Sequence, residues 1–337
     1  MEVRIASLMM HFAQPLVTAY GELRERELVL LRLRGDDGVV GWGEAAPLEP
    51  YDGVPLDAVR DALATYEPIL REGDDLPGGA LLDACRNAAD LPQALAAVDL
   101  ALWDRAGNRE GRPVSDLITD EPAASVRVNA TIAAEDRAGA AAAAAEAKRA
   151  GYSCVKVKVG VGDDAGRVAA VRAAAGPEME LRLDANGAWT ADEAVAAIEA
   201  LAPAGLELVE EPVHGIEAMR AVRDRVAVRV AMDETAVEPG SLMAAVADAV
   251  CLKVSRCGGI SGLLAQAALV RASGADVYLG STYDGPLGIA AAVHCAAALR
   301  PTAACGLGTL ELFSDELEVL PVRDGEIAVP DVPGLGV

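Results

Sequence analysis

Aromatic side chains are scarce in this chain: they make up 3% of its 337 residues, with 2 phenylalanines and 3 tryptophans. The core must therefore be packed largely from alanine and valine, and a hydrophobic content of 52% suffices for a substantial one. Histidine is almost absent. His11, His214 and His294 stand at no metal-ligand spacing from one another, so each reads as structural or superficial. The six cysteines (Cys85, Cys154, Cys251, Cys257, Cys295, Cys305) form no C-x-x-C pair and no zinc spacing, and several lie in apolar runs, where a free thiol behaves as a small hydrophobe. Basic residues number 29 against 52 acidic ones, and the net charge of −23 is spread along the chain as a solvated surface. That charge argues against nucleic acid and anionic membrane as partners. No apolar run reaches the roughly 20 residues a bilayer requires, and MEVRIASLMMHF lacks a signal-peptide layout; a cytoplasmic protein is expected.

The length allows one large barrel and a smaller domain. Residues 1 to about 120 read as strands followed by helices, an α+β pattern. RELVLLRLRGDDGVVGWGEAAP (26–47) alternates and turns at Gly35-Asp36-Asp37-Gly38, which signals a hairpin. LDAVRDALATYEPIL (56–70) and LPQALAAVDLALWDRAGN (91–108) are helical. From about 126 a repeat sets in. VRVNAT (126–131), CVKVKV (154–159), LRLD (181–184), LELVE (206–210), VRVAMD (228–233), AVCLKV (249–254), ADVYLG (275–280) and AACGL (303–307) are apolar runs. Alanine-rich helical stretches such as 135–151 and 191–205 separate them. Eight strands at this spacing predict a closed parallel barrel, with a doubly wound open sheet as the alternative. The tail after about 310 holds no further complete unit and is expected to return to the N-terminal domain.

Polar residues end several of these runs, where barrel active sites are built. Asp184, Glu210 and Asp233 close three successive strands, and Lys156, Lys158 and Lys253 sit in the strands before and after. Lys156 and Lys158 are two apart, so a strand turns both to one side and Val155, Val157 and Val159 to the other. Three carboxylates suit a hard divalent cation such as Mg2+, with Mn2+ as a substitute. Lysines beside it suit abstraction of a proton next to a carboxylate that the metal neutralises. A single acid after a strand is usually a cap; a buried charge network without chemistry is the plainer reading of the whole set.

The segments ALWDRAGNREGRPV (101–114), VKVKVG (155–160), LDANGAW (183–189), VEEPV (209–213), MDET (232–235) and LKVSRCGGI (252–260) together resemble the enolase superfamily in its muconate-lactonizing branch, across essentially the whole chain. The resemblance implies an α/β fold: a (β/α)7β TIM-type barrel (121–310), an α+β capping domain (1–120), and a C-terminal segment (311–337) completing the cap. It implies Mg2+ on Asp184, Glu210 and Asp233, with Lys158 and Lys253 as acid/base groups on opposite faces of the substrate. Lys156 then tunes its neighbour, and Asn186 and Glu234 support the ligands. Glu211 stands where the family often has glutamine. The expected substrate is a small carboxylate; the oligomeric state stays open.

Among the branch's reactions the sequence favours o-succinylbenzoate synthesis, a syn dehydration in menaquinone biosynthesis in which Lys158 serves as the base and Lys253 as a stabilising ammonium. Dipeptide epimerases carry an Asp-x-Asp pair at the end of the eighth strand, whereas CGLGTLEL (305–312) has none. GSTYDGPLGIA (280–290) is similar to the synthases, and Gly280, Ser281 and Thr282 are candidate donors to a substrate carboxylate. PLVTAYGELRERE (15–27) and GWGEAAPLEPYDG (41–53) resemble the segments that close over substrate. Asp284 keeps dipeptide epimerisation open, and N-succinylamino acid racemisation uses the same lysine pair. A catalytically silent metal-binding scaffold is the reading outside enzymology.

Overall fold

A computed structural model describes residues 1–18, 21–133, 136–243, 245–314 and 319–337. Alternation and β-branched content make two long opening strands, β1 (Glu2–Thr18) and β2 (Gly21–Arg34), which pair antiparallel; β3 (Val40–Ala45) joins β2. The expected turn lies between β2 and β3, where Gly38 takes a φ of 78° and its N–H donates to the Gly35 carbonyl at 2.9 Å. The short α1 (Glu49–Asp52) follows, then α2 (Leu56–Glu72), α3 (Gly78–Ala88), α4 (Pro92–Glu110) and α5 (Val114–Ile118). Leu31 and Leu33 of the sheet pack with Val59, Leu63, Tyr66, Leu95 and Val98 in one apolar cluster. β3 meets α4 backbone to backbone. A Cβ on Gly43 would lie 1.9 Å from the Ala97 carbonyl oxygen, and one on Gly41 2.0 Å from that of Ala101, so only glycine permits this approach.

Strand and helix then alternate: β4 (Ser125–Arg127), β5 (Ala130–Ile132), α6 (Arg137–Arg149), β6 (Cys154–Lys158), α7 (Asp164–Ala175), β7 (Glu180–Asp184), α8 (Ala191–Leu201), β8 (Leu208–Glu210), α9 (Ile216–Arg223), β9 (Arg229–Met232), β10 (Ala249–Lys253), α10 (Val254–Cys257), α11 (Ile260–Ala272), β11 (Asp276–Gly280) and α12 (Pro286–Leu299). β5 to β11 form a parallel sheet in chain order. Covered on both faces, its strands are runs of aliphatic side chains, and Val155, Leu183, Val209 and Val230 are completely buried.

The eighth run, 303–307, forms bridges instead of a full strand. Cys305 pairs with Val128 and Gly306 with Gly280, both parallel, and the Gly306 N–H donates to the Leu279 carbonyl at 2.7 Å. The sheet is thereby closed, and the open doubly wound alternative falls away. The expected first strand is divided. Its start, β4, pairs antiparallel with the tail, which supplies β12 (Val322–Arg323) and β13 (Glu326–Ala328), while β5 enters the barrel. The tail then reaches the cap side, where the Leu335 N–H donates to Asp104 Oδ1 at 2.7 Å. Four stretches of the sequence reading include positions outside the described residues: 19–20 in the first closing segment, 134–135 before α6, 244, and 315–318 in the tail. Among the described residues no helix is long and apolar enough to cross a membrane.

Candidate active site

Register sets the site. β6, β7 and β8 pair so that Lys158 lies beside Asp184 and Asp184 beside Glu210, which brings the polar ends of three strands level. Lys156 Nζ donates to Glu210 Oε1 at 2.7 Å and lies 2.8 Å from Asp184 Oδ2. Lys158 Nζ donates to Asp184 Oδ2 and to Asn186 Oδ1, both at 2.7 Å. From β10, Lys253 Nζ donates to Asp233 Oδ1 at 2.5 Å and also contacts Oδ2. The structure thus brings together all six residues singled out from the strand ends. Val155 and Val157 face away from the site, as the period of a strand requires.

The three carboxylates are buried, so each charge needs compensation. Burial opposes ionisation of Asp184, but Lys156 and Lys158 outweigh it and hold the carboxyl well below its usual range. For Asp233 the same opposition is overcome by Lys253 and then Arg256, and the group is lowered. Glu210 goes the other way: burial dominates, Asp184 and Asp233 repel its charge, and it is the carboxyl of the three most ready to hold a proton. Burial disfavours the Lys253 ammonium, yet Asp233 more than restores it and the lysine is raised.

The donor set suits a hard divalent ion: three buried carboxylates, all oxygen, at the open end of the barrel. Ligand atoms of Glu210, Asp233 and Cys251 lie within 4.8 Å of one another, and Asp184 joins Glu210 through the shared ammonium of Lys156. The turns behind them are braced. Asn186 has φ 45°; its N–H donates to Asp184 Oδ1 at 3.0 Å and its Nδ2 to Glu234 Oε1 at 2.9 Å. Glu211, at φ 39°, accepts from the backbone N–H groups of Asp233 at 2.8 Å and Thr235 at 2.9 Å. Such left-handed backbone in non-glycine residues persists only where surrounding bonds hold it.

Three contributors carry no mark in the strand-end pattern. Tyr278 Oη donates to Glu210 Oε2 at 2.8 Å. Its signal lay in alternation, since Tyr278 and Gly280 share a face of β11. Arg256 Nη1 donates to Tyr51 Oη at 2.5 Å, and its spacing of three from Lys253 was the available clue. Tyr51 comes from the cap, in the segment 41–53 that resembles one closing over substrate, but nothing in that segment marks this residue as the one that reaches Lys253.

The stretch 280–284 is engaged inside the protein. Ser281 Oγ lies 2.9 Å from Thr309 Oγ1, and Thr282 Oγ1 donates to Asp284 Oδ1 at 2.7 Å while lying 3.0 Å from Ser255 Oγ. Gly280 sits beside Lys253 in register. Asp284 is completely buried against the cap. There Arg26 donates to the carbonyls of Pro47 at 2.8 Å and Thr282 at 3.1 Å, and Glu44 Oε1 accepts from the Gly285 N–H at 2.7 Å. Burial, with Asp284 second, pushes the Glu44 carboxyl up to about 8.

Residues 1–119 match the mandelate racemase/muconate lactonizing enzyme N-terminal domain, and residues 139–337 match the enolase C-terminal domain-like family. The chain is 31% identical over 350 residues to an L-Ala-D/L-Glu epimerase of Bacillus subtilis, covering 96% of this chain and 92% of that protein. It is 33% identical over 336 residues to an o-succinylbenzoate synthase of Thermobifida fusca, covering 94% and 88%. The crystal structure of a dipeptide epimerase from Enterococcus faecalis, complexed with Mg and the dipeptide L-Leu-L-Tyr, superposes with a TM-score of 0.89 at 26% identity over 99% of this chain and 98% of that one.

Proposed function

The chain belongs to the mandelate racemase/muconate lactonizing enzyme family of the enolase superfamily, and from that premise we propose that it moves a proton at the carbon beside a substrate carboxylate, racemising or epimerising an N-acylated α-amino acid, dipeptides included. The observation that carries this is the placement of Lys158 and Lys253. They stand on β6 and β10, four positions apart in a barrel of seven strands and one bridging segment, and so on opposite sides of the carboxylate row.

One lysine, as the free amine, takes the α-proton; the other, as the ammonium, returns a proton to the opposite face, and the carbon inverts. Asp184 and Asn186 aim Lys158, and Asp233 aims Lys253. A Mg2+ ion held by Asp184, Glu210 and Asp233 would neutralise the substrate carboxylate and so acidify the neighbouring C–H. Lys156 spans Asp184 and Glu210 and keeps them together.

The sequence put dehydration first. The epimerases among the relatives support inversion ahead of it, and the order is reversed here. Dehydration stands as the second reading on a specific observation: an acid able to meet a substrate ammonium is hard to find. CGLGTLEL has no acidic pair, its Glu311 is turned to Tyr152 and the Val322 N–H, and Asp284 is buried in the seam. Within the inversion reading, the same observation favours an N-acyl end such as succinyl over a free amino terminus.

The test is α-proton exchange in deuterium oxide, followed by NMR, on N-succinylamino acids, dipeptides and the dehydration substrate 2-succinyl-6-hydroxy-2,4-cyclohexadiene-1-carboxylate in parallel. Exchange with inversion on either of the first two is expected. Dehydration alone, without exchange into any amino acid, would sink the proposal.

A further inference from the structure

The two lysines are not held alike. Lys158 Nζ donates its hydrogen bonds to Asp184 and Asn186, both barrel residues. Lys253 is also met by the cap: its Nζ donates to Tyr51 Oη at 2.6 Å and lies 4.5 Å from the centre of the tyrosine ring. The same hydroxyl donates to Asp233 Oδ1 at 2.8 Å and accepts from Arg256 Nη1. It therefore uses its donor and both acceptor positions on the Lys253 side of the site. The segment that delivers it is fixed from the cap. Arg26 holds the Pro47 carbonyl, the Tyr51 N–H donates to the Leu48 carbonyl at 2.7 Å, and Asp52 Oδ2 accepts from Gln93 Nε2 at 2.9 Å.

We infer that Tyr51 is a positioning residue for Lys253, so that proton transfer at one face of the substrate depends on the cap while transfer at the other face is set within the barrel. This rests on the two-base reading above. Its hydroxyl fixes where the Lys253 amine points, and misplacement of a reacting group by about 1 Å can cost up to 100-fold in rate. A cap loosened by substitution elsewhere would accordingly slow one enantiomer more than the other.

The test compares wild type with Tyr51→Phe, which keeps the ring and removes the hydroxyl; Tyr51→Met is the second variant should the first lose its thermal unfolding transition. The Lys158→Ala and Lys253→Ala proteins first establish which enantiomer each lysine deprotonates. In Tyr51→Phe, α-proton exchange of the enantiomer served by Lys253 should fall about 10-fold or more, with the other within about 2-fold. Equal slowing of both, or of neither, overturns the inference. The same hydroxyl also donates to Asp233, so exchange is compared at Mg2+ concentrations that calorimetry shows to saturate each protein; a bias between enantiomers that disappears at saturation would place the effect on the metal ligand and overturn the inference. A readout independent of turnover is peptide-mapped acylation by an amine-reactive ester. Loss of the hydroxyl should raise labelling of Lys253 relative to Lys158 several-fold, and an unchanged ratio overturns the inference. If wild type exchanges neither enantiomer, the proposed reaction fails, and the labelling ratio still decides the role of Tyr51.

Discussion

Two buried charge clusters lie within one molecule and are built on opposite terms. At the barrel mouth, Asp184, Glu210 and Asp233 are matched by Lys156, Lys158 and Lys253, and ammonium bonds link the two signs. At the seam between cap and barrel, Glu44 and Asp284 lie in the field of one guanidinium, Arg26, whose hydrogen bonds go to the carbonyls of Ala46, Pro47 and Thr282, and Glu44 Oε2 and Asp284 Oδ2 are buried without a hydrogen-bond partner. The first cluster lowers two of its carboxyls; the second raises both. Buried charge that stays ionised is positioned to meet a ligand. At the seam, burial and the neighbouring Asp284 favour the protonated form of Glu44, which then serves as a neutral contact between two parts of the fold.

The sharpest way to break that contrast is at the lysines. Lys158→Ala and Lys253→Ala should each reduce inversion by about 100-fold to 10,000-fold, since each removes a positioned acid or base. Steady-state rates checked against circular dichroism will separate this from misfolding. A lysine variant that keeps wild-type turnover would reduce the mouth to a charge network of the seam's kind.

The next effect concerns the cation. Asp184→Asn and Asp233→Asn should each weaken Mg2+ binding in calorimetry by more than about 10-fold to 100-fold, the cost of losing an outer partner of a metal ligand. Both remove a charge that the mouth holds ionised. Glu44→Gln should leave Mg2+ affinity unchanged, and a loss there would show that the two clusters are not separate.

The seam has a signature in pH. A carboxyl ordinarily near 4.5 and raised to about 8 in the folded protein favours the protonated native state. Its contribution to stability is complete below the unfolded value and is lost as pH rises through the folded one, so wild type should lose stability between about pH 4.5 and pH 8. Glu44→Gln mimics the protonated form. It should flatten that slope and be the more stable protein at the alkaline end, by on the order of 2–3 kcal/mol. Urea unfolding across the range measures this; parallel profiles for the two proteins would mean that Glu44 carries no proton in the native state.

The barrel was legible because a parallel strand covered on both faces leaves few polar residues, and those few fall at its end: Lys158, Asp184, Glu210, Asp233 and Lys253. Register then did what spacing implied. The eighth strand was legible in position but not in form, since 303–307 contributes only bridges. The segment holding Tyr51 was legible as one that closes over substrate, but its contact was not, because its partner Lys253 lies 202 positions away and the docking of the cap creates the contact. Thr282 looked like a donor to substrate from its place after β11, but its hydroxyl is used within the seam. The absence of an acidic pair in CGLGTLEL is a fact of the sequence, although the relatives favour inversion over the dehydration drawn from it. It describes one subsite, however, and dehydration and inversion share the rest of the machinery.

The smallest expected effect tests that subsite directly. Asp284 was the one acid near GSTYDGPLG that kept a free amino terminus in play. It is completely buried, accepts from Thr282 Oγ1 at 2.7 Å and faces Arg26 and Glu44. A carboxylate in that position cannot approach a substrate ammonium without breaking the seam, and an ammonium left unpaired would bind poorly. Asp284→Asn keeps the shape and an acceptor for Thr282. It should therefore change the ratio of kcat/KM between dipeptides and N-succinylamino acids by less than about 2-fold, well under the tenfold that 1.4 kcal/mol represents. Its effect should appear in stability, where removing one of two like charges weakens the pH slope assigned to Glu44. A variant that loses dipeptides while keeping N-succinylamino acids would move Asp284 from the seam into the substrate pocket.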